Sequence, residues 1–227
     1  MKLDERKENI LDFIIRDYIA SAVPVSSGRI VEKGHFDWSP ATMRNIMLEL
    51  DECEFLEQPH TSAGRIPTEK GYRYFVEYLM NDKKPPRNVT KNIDAMFERL
   101  NKETEDLFDA VTKTIAQQIK LVAGICPLKN PEQIRLHGLA DVLQKPEFFD
   151  HTATVEFASY IERLDKELAK IQKTDYPKIS IDEFGMVSAC FHNDEFGECV
   201  LFSMGPQRMN YEDARSIVKY TIERCIE

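Results

Sequence analysis

The segment Ser39-Pro-Ala-Thr-Met-Arg-Asn45 sets a guanidinium beside a carboxamide. Both groups suit the edge of a base pair: Arg can donate two parallel hydrogen bonds to guanine, and Asn can donate to and accept from adenine. Downstream, Gln58-Pro-His-Thr-Ser-Ala-Gly-Arg-Ile-Pro-Thr-Glu-Lys-Gly71 brings together a histidine, small hydroxyls, backbone amides and cations. A turn of small hydroxyls can approach phosphates closely, and an arginine at its end suits a minor groove. On this reading Thr42, Arg44 and Asn45 face bases. Ser39, His60, Thr61, Ser62, Arg65, Lys70 and Arg73 engage the backbone or the minor groove, with Ser39 and Thr42 at a helix N-terminus suited to phosphate.

Those side chains need a helix and a hairpin to hold them. Ser39 is a helix-capping residue and Pro40 is pre-set for the first helical position. Met43, Ile46, Met47 and Leu50 then form one apolar stripe, which leaves Ala41, Thr42, Arg44, Asn45 and Leu48 on or near the other face. Before it, a helix is expected over about 4–20, carrying Ile10, Phe13, Ile14, Asp17 and Tyr18, and a shorter one over about 25–33 after the break at Pro24. Phe55-Leu56 and Arg65-Ile66 suit two short strands. Thr68 caps a further helix with Tyr72, Phe75, Val76 and Leu79 on its inner side. A helix-turn-helix with a wing accounts for this order.

The chain of 227 residues carries a net charge of −9, which opposes non-specific attraction to phosphate. Most of the excess acid is downstream: residues 1–87 have a net charge of −2 and residues 88–227 one of −7. From Trp38 to Leu48 there is Arg44 and no acid, and from Gln58 to Arg73 there are Arg65, Lys70 and Arg73 against Glu69 alone. Between these stretches stand Glu49, Asp51, Glu52, Glu54 and Glu57. A locally positive face is therefore expected on an acidic protein.

Other function classes lack their marks. The chain has no G-x-S-x-G, P-loop, G-x-G-x-x-G, C-x-x-C or H-E-x-x-H motif. No catalytic residue, metal site or cofactor is expected. The five histidines are scattered, and the five cysteines read as reduced core thiols, although Cys190 and Cys199 could face each other across a hairpin. A charged start and the lack of a long apolar run predict neither a membrane span nor a secretion signal, hence a cytoplasmic protein.

Residues 1–81 read as the winged helix, and 82–91, polar with Pro85-Pro86, as a linker. Residues 92–227 read as a second, α+β domain. Ile93, Met96, Phe97, Leu100, Leu107, Phe108, Val111, Ile115 and Ile119 give a long amphipathic pattern, interrupted at Glu103-Thr104. A strand is expected over 120–126, and a helix marked by Val155, Ala158, Ile161, Leu164, Leu168 and Ile171. Ile179-Ser-Ile181 has strand composition, a hairpin of strands 186–191 and 198–204 follows, and a final helix starts near Tyr211. The fold class is α+β and helix-rich.

Ser39-Pro-Ala-Thr-x-Arg-Asn45 and Leu56-Glu-Gln-Pro-His-Thr-Ser-Ala-Gly-Arg-Ile-Pro-Thr-x-Lys-Gly-Tyr-Arg73 closely resemble the bacterial heat-inducible transcription repressor family HrcA. Asp17-Tyr-Ile19 and Pro24-Val25 fit the family's opening helix and turn. Gly138-Leu-Ala-Asp-Val-Leu-Gln-Lys-Pro-Glu-Phe148 and Gly205-Pro-Gln-Arg-Met-Asn-Tyr211 look like two further signatures. The resemblance implies a homodimeric repressor of chaperone genes that binds an inverted-repeat operator in double-stranded DNA, with a winged helix joined to a GAF-like domain and the chaperonin as a partner that keeps it active. Gly28 stands where the family usually has a basic residue, with Arg29 one place later, and Ile46 stands where it usually has an aspartate. Much of the central region that carries the family's dimerisation insert is lacking, so the GAF-like domain reads as reduced. The alternative reading is a non-catalytic regulatory interaction module whose GAF-like half senses a ligand.

Overall fold

The computed structural model describes residues 2–60, 63–100, 107–171 and 176–226. By its internal contacts the chain divides into two units, Met1–Asn81 and Asp82–Glu227.

Each helix of the first unit starts on a local signal. The Asp4 carboxylate accepts from the Lys7 amide to cap α1, Glu5–Ser21, and Ala22 closes it in the left-handed conformation. Ser26 caps α2, Ser27–Lys33, and Ser39 caps α3, Pro40–Glu52, by accepting from the Thr42 amide at 3.1 Å. In α3 the residues Met43, Ile46, Met47 and Leu50 are all buried, as their spacing predicts. Removing each such side chain from water contributes roughly 1.5–3 kcal/mol, enough to fix which face of α3 stays outside. In α1 the fully buried residues are Ile10, Leu11, Ile14 and Ile15; Phe13 and Tyr18, expected inside, are half-exposed.

The wing is a short antiparallel pair, β1, Leu56–Glu57, and β2, Ile66–Pro67. It is widened by a bridge in which Val25 and Arg65 exchange both backbone hydrogen bonds, at 2.9 and 2.8 Å. Val25, expected to open α2, serves this bridge instead. A Cβ on Gly64 would lie 2.4 Å from the Val25 carbonyl carbon and oxygen, so only glycine allows the approach. Thr68 caps α4, Glu69–Tyr74, which runs on as a π-helical turn, Phe75–Leu79. The wider turn changes the expected stripe: Tyr72, Tyr74 and Phe75 are buried, whereas Val76 and Leu79 are half-exposed.

The second unit holds a five-stranded antiparallel sheet in the order β4-β3-β7-β6-β5. Its strands are β3, Val122–Pro127; β4, Arg135–His137; β5, Lys178–Ile181; β6, Gly185–Asn193; and β7, Gly197–Gly205. Helices α5, Arg87–Leu100, α6, Leu107–Ile119, and α10, Tyr211–Ile226, pack together and on the sheet. Ile93, Met96, Phe108, Val111 and Ile115 are buried as their spacing predicts. The interruption expected at Glu103-Thr104 lies outside the described residues.

Helices α7, Leu139–Val142, α8, His151–Glu162, and α9, Leu164–Leu168, follow β4. In α8 the expected stripe is wrong on one turn: Val155 and Ala158 are exposed, and Phe157 is fully buried instead. Phe157 joins Phe148 and Phe184, with ring centroids 4.8 Å away from each, and burying an aromatic ring outweighs burying a valine. The two downstream signatures meet here, where the Arg208 guanidinium donates to both carboxylate oxygens of Glu147. Gly138, which opens the first signature, has φ +92, and a Cβ there would lie 2.1 Å from the Leu121 carbonyl.

Two further expectations change. Helix α5 begins inside the expected linker 82–91, and residues before it are tied to α10: Asp82 pairs with Arg215 at 2.7 Å and Lys83 with Asp213 at 2.7 Å. The extended stretch is thus part of the second unit. Cys190 lies opposite Val200, and Cys199 opposite Phe191. Adjacent positions on a strand point to opposite faces, so the two thiols do not face each other.

Candidate nucleic-acid interface

With its apolar row buried, α3 presents Ala41, Arg44, Asn45 and Leu48 outward. Among the described residues Arg44 reaches only Ser27 on α2, with Nε 3.4 Å from the hydroxyl, and the Asn45 side chain makes no hydrogen bond. Leu48 is 50% exposed, the sort of apolar contact that suits a thymine methyl. An open groove of about 450 Å³ runs between α2, α3 and the wing, lined by Ser26, Ser27, Arg44, Asn45, Leu48 and Gln58 among others.

Ser39 and Thr42 hold the start of α3 together. Beyond the cap, their hydroxyl oxygens lie 2.9 Å apart, and both side chains stay accessible. His60 is exposed on the wing, where its carbonyl accepts from the Ala63 amide at 2.8 Å and Gln58 donates to the Ala63 carbonyl at 2.9 Å. Thr61 and Ser62 lie outside the described residues.

The three cations downstream of the wing turn each meet a carboxylate. Arg65 is only 17% exposed and its Nε lies 2.9 Å from the Asp51 carboxylate. Lys70 donates to the Cys53 carbonyl at 2.8 Å, reaches Glu54 at 3.5 Å and covers the Phe55 ring. Arg73 pairs with Glu69 at 2.8 Å along one helix face, an exposed contact worth little and easily exchanged. The arrangement also answers three of the five acids that separate the two stretches. Glu49 is met by Lys7 at 2.9 Å, Asp51 by Arg65 and Glu54 by Lys70. The bonds to Glu49 and then Asp4 push the Lys7 ammonium above its ordinary value.

On α2, Arg29 does not replace the basic residue missing at Gly28. It is held by Asp17 on α1, with Nη2 donating at 2.9 Å. Ile46 is buried, so the departure there does not touch the outer face of α3. Sequence reasoning missed Ser27 and Gln58, which border the groove; the only signal was a serine pair before a short helix and a glutamine ahead of Pro59. Ahead of α3, Trp38 stacks on Phe36 with centroids 5.2 Å apart, and Arg6 lies over the indole at 5.8 Å.

Among the described residues no group of three or more His, Cys, Asp or Glu could hold a metal ion, and no helix is long and apolar enough to cross a membrane. Burial pushes the Cys126 and Cys199 thiols up to about 11 and Cys225 up to about 12, so none is a ready nucleophile near neutral pH.

Comparison with known proteins adds a family. The chain is 58% identical over 80 residues to the heat-inducible transcription repressor HrcA of Natranaerobius thermophilus, matching 35% of this chain and 23% of that protein. It is 46% identical over 114 residues to the HrcA of Pelotomaculum thermopropionicum, matching 50% of this chain and 32% of that one. Against the HrcA of Thermoanaerobacter pseudethanolicus the identity is 38% over 156 residues, or 66% of this chain and 43% of that one. The chain therefore spans less than half the length of these relatives. No protein-family model matches it. A crystal structure described as a hypothetical protein superposes with a TM-score of 0.66 at 16% identity, covering 99% of this chain and 98% of that one; the likeness is one of fold.

Proposed function

We infer, from a chain that belongs by sequence with the heat-inducible transcription repressors HrcA, that this protein is a DNA-binding transcriptional repressor of heat-shock genes and takes an inverted-repeat operator as a dimer. The observation that carries this reading is the outer face of α3, where Arg44 and Asn45 stand exposed side by side over a buried apolar row. A helix of this kind, laid in a major groove, offers a guanidinium to guanine and a carboxamide to adenine, with Leu48 against a thymine methyl. Thr42 reaches the neighbouring base. Ser39, at the amide end of α3, sits on phosphate, and the wing adds His60, Thr61 and Ser62.

The remaining cations of the sequence reading take different roles. Arg65 braces the wing against α3 through Asp51, Lys70 seals the end of α3, and Arg73 is accessible for backbone charge. The second unit, an antiparallel sheet carrying α5, α6 and α10, is in keeping with a reduced GAF-like domain that pairs two copies and hosts regulation.

Fluorescence anisotropy tests the reading. Duplexes enriched by the protein from a random pool should show an inverted repeat and bind more tightly than scrambled duplexes of the same composition at both low and physiological salt. Equal affinities for the two sets would overturn it.

A further inference from the structure

The winged helix has an awkward charge balance for a DNA-binding unit. Residues 1–81 carry 10 Lys and Arg against 14 Asp and Glu, and Arg65, Lys70 and Arg73 each lie within ion-pair reach of a carboxylate. Affinity for a duplex rises with the number of phosphates that cations neutralise. Such cations gather immediately after Asn81. In the second unit, itself acidic with 20 Lys and Arg against 25 Asp and Glu, an open groove of about 560 Å³ runs between the segment 83–90 and α10, lined by Lys83, Lys84, Arg87 and Lys219 among others.

The groove is held in place by its own ion pairs. Lys83 is bound to α10 through Asp213 at 2.7 Å and Glu212 at 3.5 Å, and Asp82 through Arg215. Lys219 is steadied by Tyr176, whose hydroxyl is 2.6 Å from Nζ and whose ring lies 4.3 Å from it. Pro85 and Pro86 remove slack between these anchors, and Val89 is buried. Lys84 and Arg87 remain exposed and have no side-chain partner among the described residues. One carboxylate, Glu223, also lines the groove. Two exposed cations, Lys84 and Arg87, without a side-chain partner among the described residues, line the same groove as a third, Lys219, and together they offer positive charge suited to the phosphates of a nucleic-acid strand.

We propose that this groove binds backbone phosphates of the operator flanking the site read by α3, with Lys84 and Arg87 as the neutralising pair. The assignment rests on the DNA-binding function inferred above. It is a second, sequence-independent contact region: α3 selects the site, and the groove adds affinity that falls as salt rises.

The test uses the full chain and two duplexes enriched by the wild-type protein, one trimmed to the inverted repeat alone and one extended by about ten base pairs, one helical turn, on each side. Binding is titrated over a range of potassium chloride concentrations. For Lys84→Gln with Arg87→Gln, the slope of log affinity against log salt on the extended duplex should fall in magnitude by about 3.6 for a bound dimer, or about 0.9 for each of the four phosphates no longer neutralised, with the preference over scrambled DNA unchanged. The wild type should gain affinity on the extended duplex and the double variant should not. A control removing two exposed cations elsewhere in the unit, Lys166→Gln with Lys178→Gln, should keep the wild-type slope. Neither the Lys84 nor the Arg87 side chain has a partner among the described residues, so thermal melts of the variant should match the wild type. If the wild type binds specifically and the double variant keeps its slope, the groove proposal fails. If the wild type shows no preference for any duplex, the functional reading fails instead.

Discussion

Arg65 and Asp51 meet at 2.9 Å, joining the return strand of the wing to the last turn of α3, with only 17% and 28% of their side chains exposed. The pair makes the wing a fixed extension of the reading helix. Removing one partner leaves the other charge poorly hydrated, so Asp51→Asn should destabilise the first unit by about 1–2 kcal/mol, below the cost of breaking a fully buried pair. Urea denaturation of the full chain would measure it. Asp51→Asn combined with Arg65→Met should recover part of the loss; additive losses would show that the two side chains act independently.

Arg44 lies at the other extreme of commitment, with a single long hydrogen bond, to Ser27, among the described residues. Truncating it should leave stability within about 0.5 kcal/mol. Arg44→Ala should cost roughly 1–3 kcal/mol of specific binding and relax the preference at one base position. Anisotropy titrations against a panel of duplexes with single-base changes would show that relaxation as a flattened profile, and an unchanged profile would place the reading face elsewhere on the helix.

How far each of these sites is legible in sequence follows from the range of the forces that make it. The α3 cap, its proline and its apolar row act within four residues, so Ser39 to Leu50 could be placed before any fold was known, and so could the strand pair around the wing. The partners of Arg65 and Lys70 could not, because Asp51 and Cys53 are brought to them by the hairpin and not by spacing. The same holds at the supposed linker. Pro85-Pro86 forbids helix there, but nothing local says that Lys83 is tied to Asp213 at 2.7 Å. In α8 the competing signal was tertiary: Phe148 and Phe184 draw Phe157 inward, against a stripe of smaller residues that satisfied periodicity equally well. Register undid the thiol pair, since Cys190 and Cys199 each oppose a different residue.

Ser39 has two roles, and one substitution separates them. As the cap of α3 it accepts from the Thr42 amide at 3.1 Å, which an aspartate does equally well. Ser39→Ala should therefore cost about 1 kcal/mol in stability, and Ser39→Asp should cost almost nothing. If the amide end of α3 sits on phosphate, the carboxylate of Ser39→Asp will repel it, and DNA affinity should drop most in the variant that is best folded. Melting curves and binding isotherms on the same three proteins provide the comparison, and an Asp variant binding like wild type would remove Ser39 from the interface.

Asp94 gives the second unit a defined acid response. The Tyr220 hydroxyl donates to it at 2.7 Å, and Arg224 donates from Nε and Nη2 at 2.9 Å. The Tyr220 bond first, then the Arg224 bonds and charge, hold its carboxyl below the ordinary aspartate value of 3.8. A folded-state value below the unfolded one means that the stabilisation is complete above the unfolded value and is lost as pH falls through the depressed one. With the side chain about a third exposed, at 31%, solvent screening limits the contribution to about 1 kcal/mol. Asp94→Asn should therefore melt at a lower temperature than wild type at pH 7 and at pH 5. The difference should shrink only below pH 4, as the wild-type carboxylate takes up its proton. Melting temperatures followed by circular dichroism across that range would check the sign, and a gap that stays constant down to the lowest pH would show that the bonds to Tyr220 and Arg224 do not depend on the charge of Asp94.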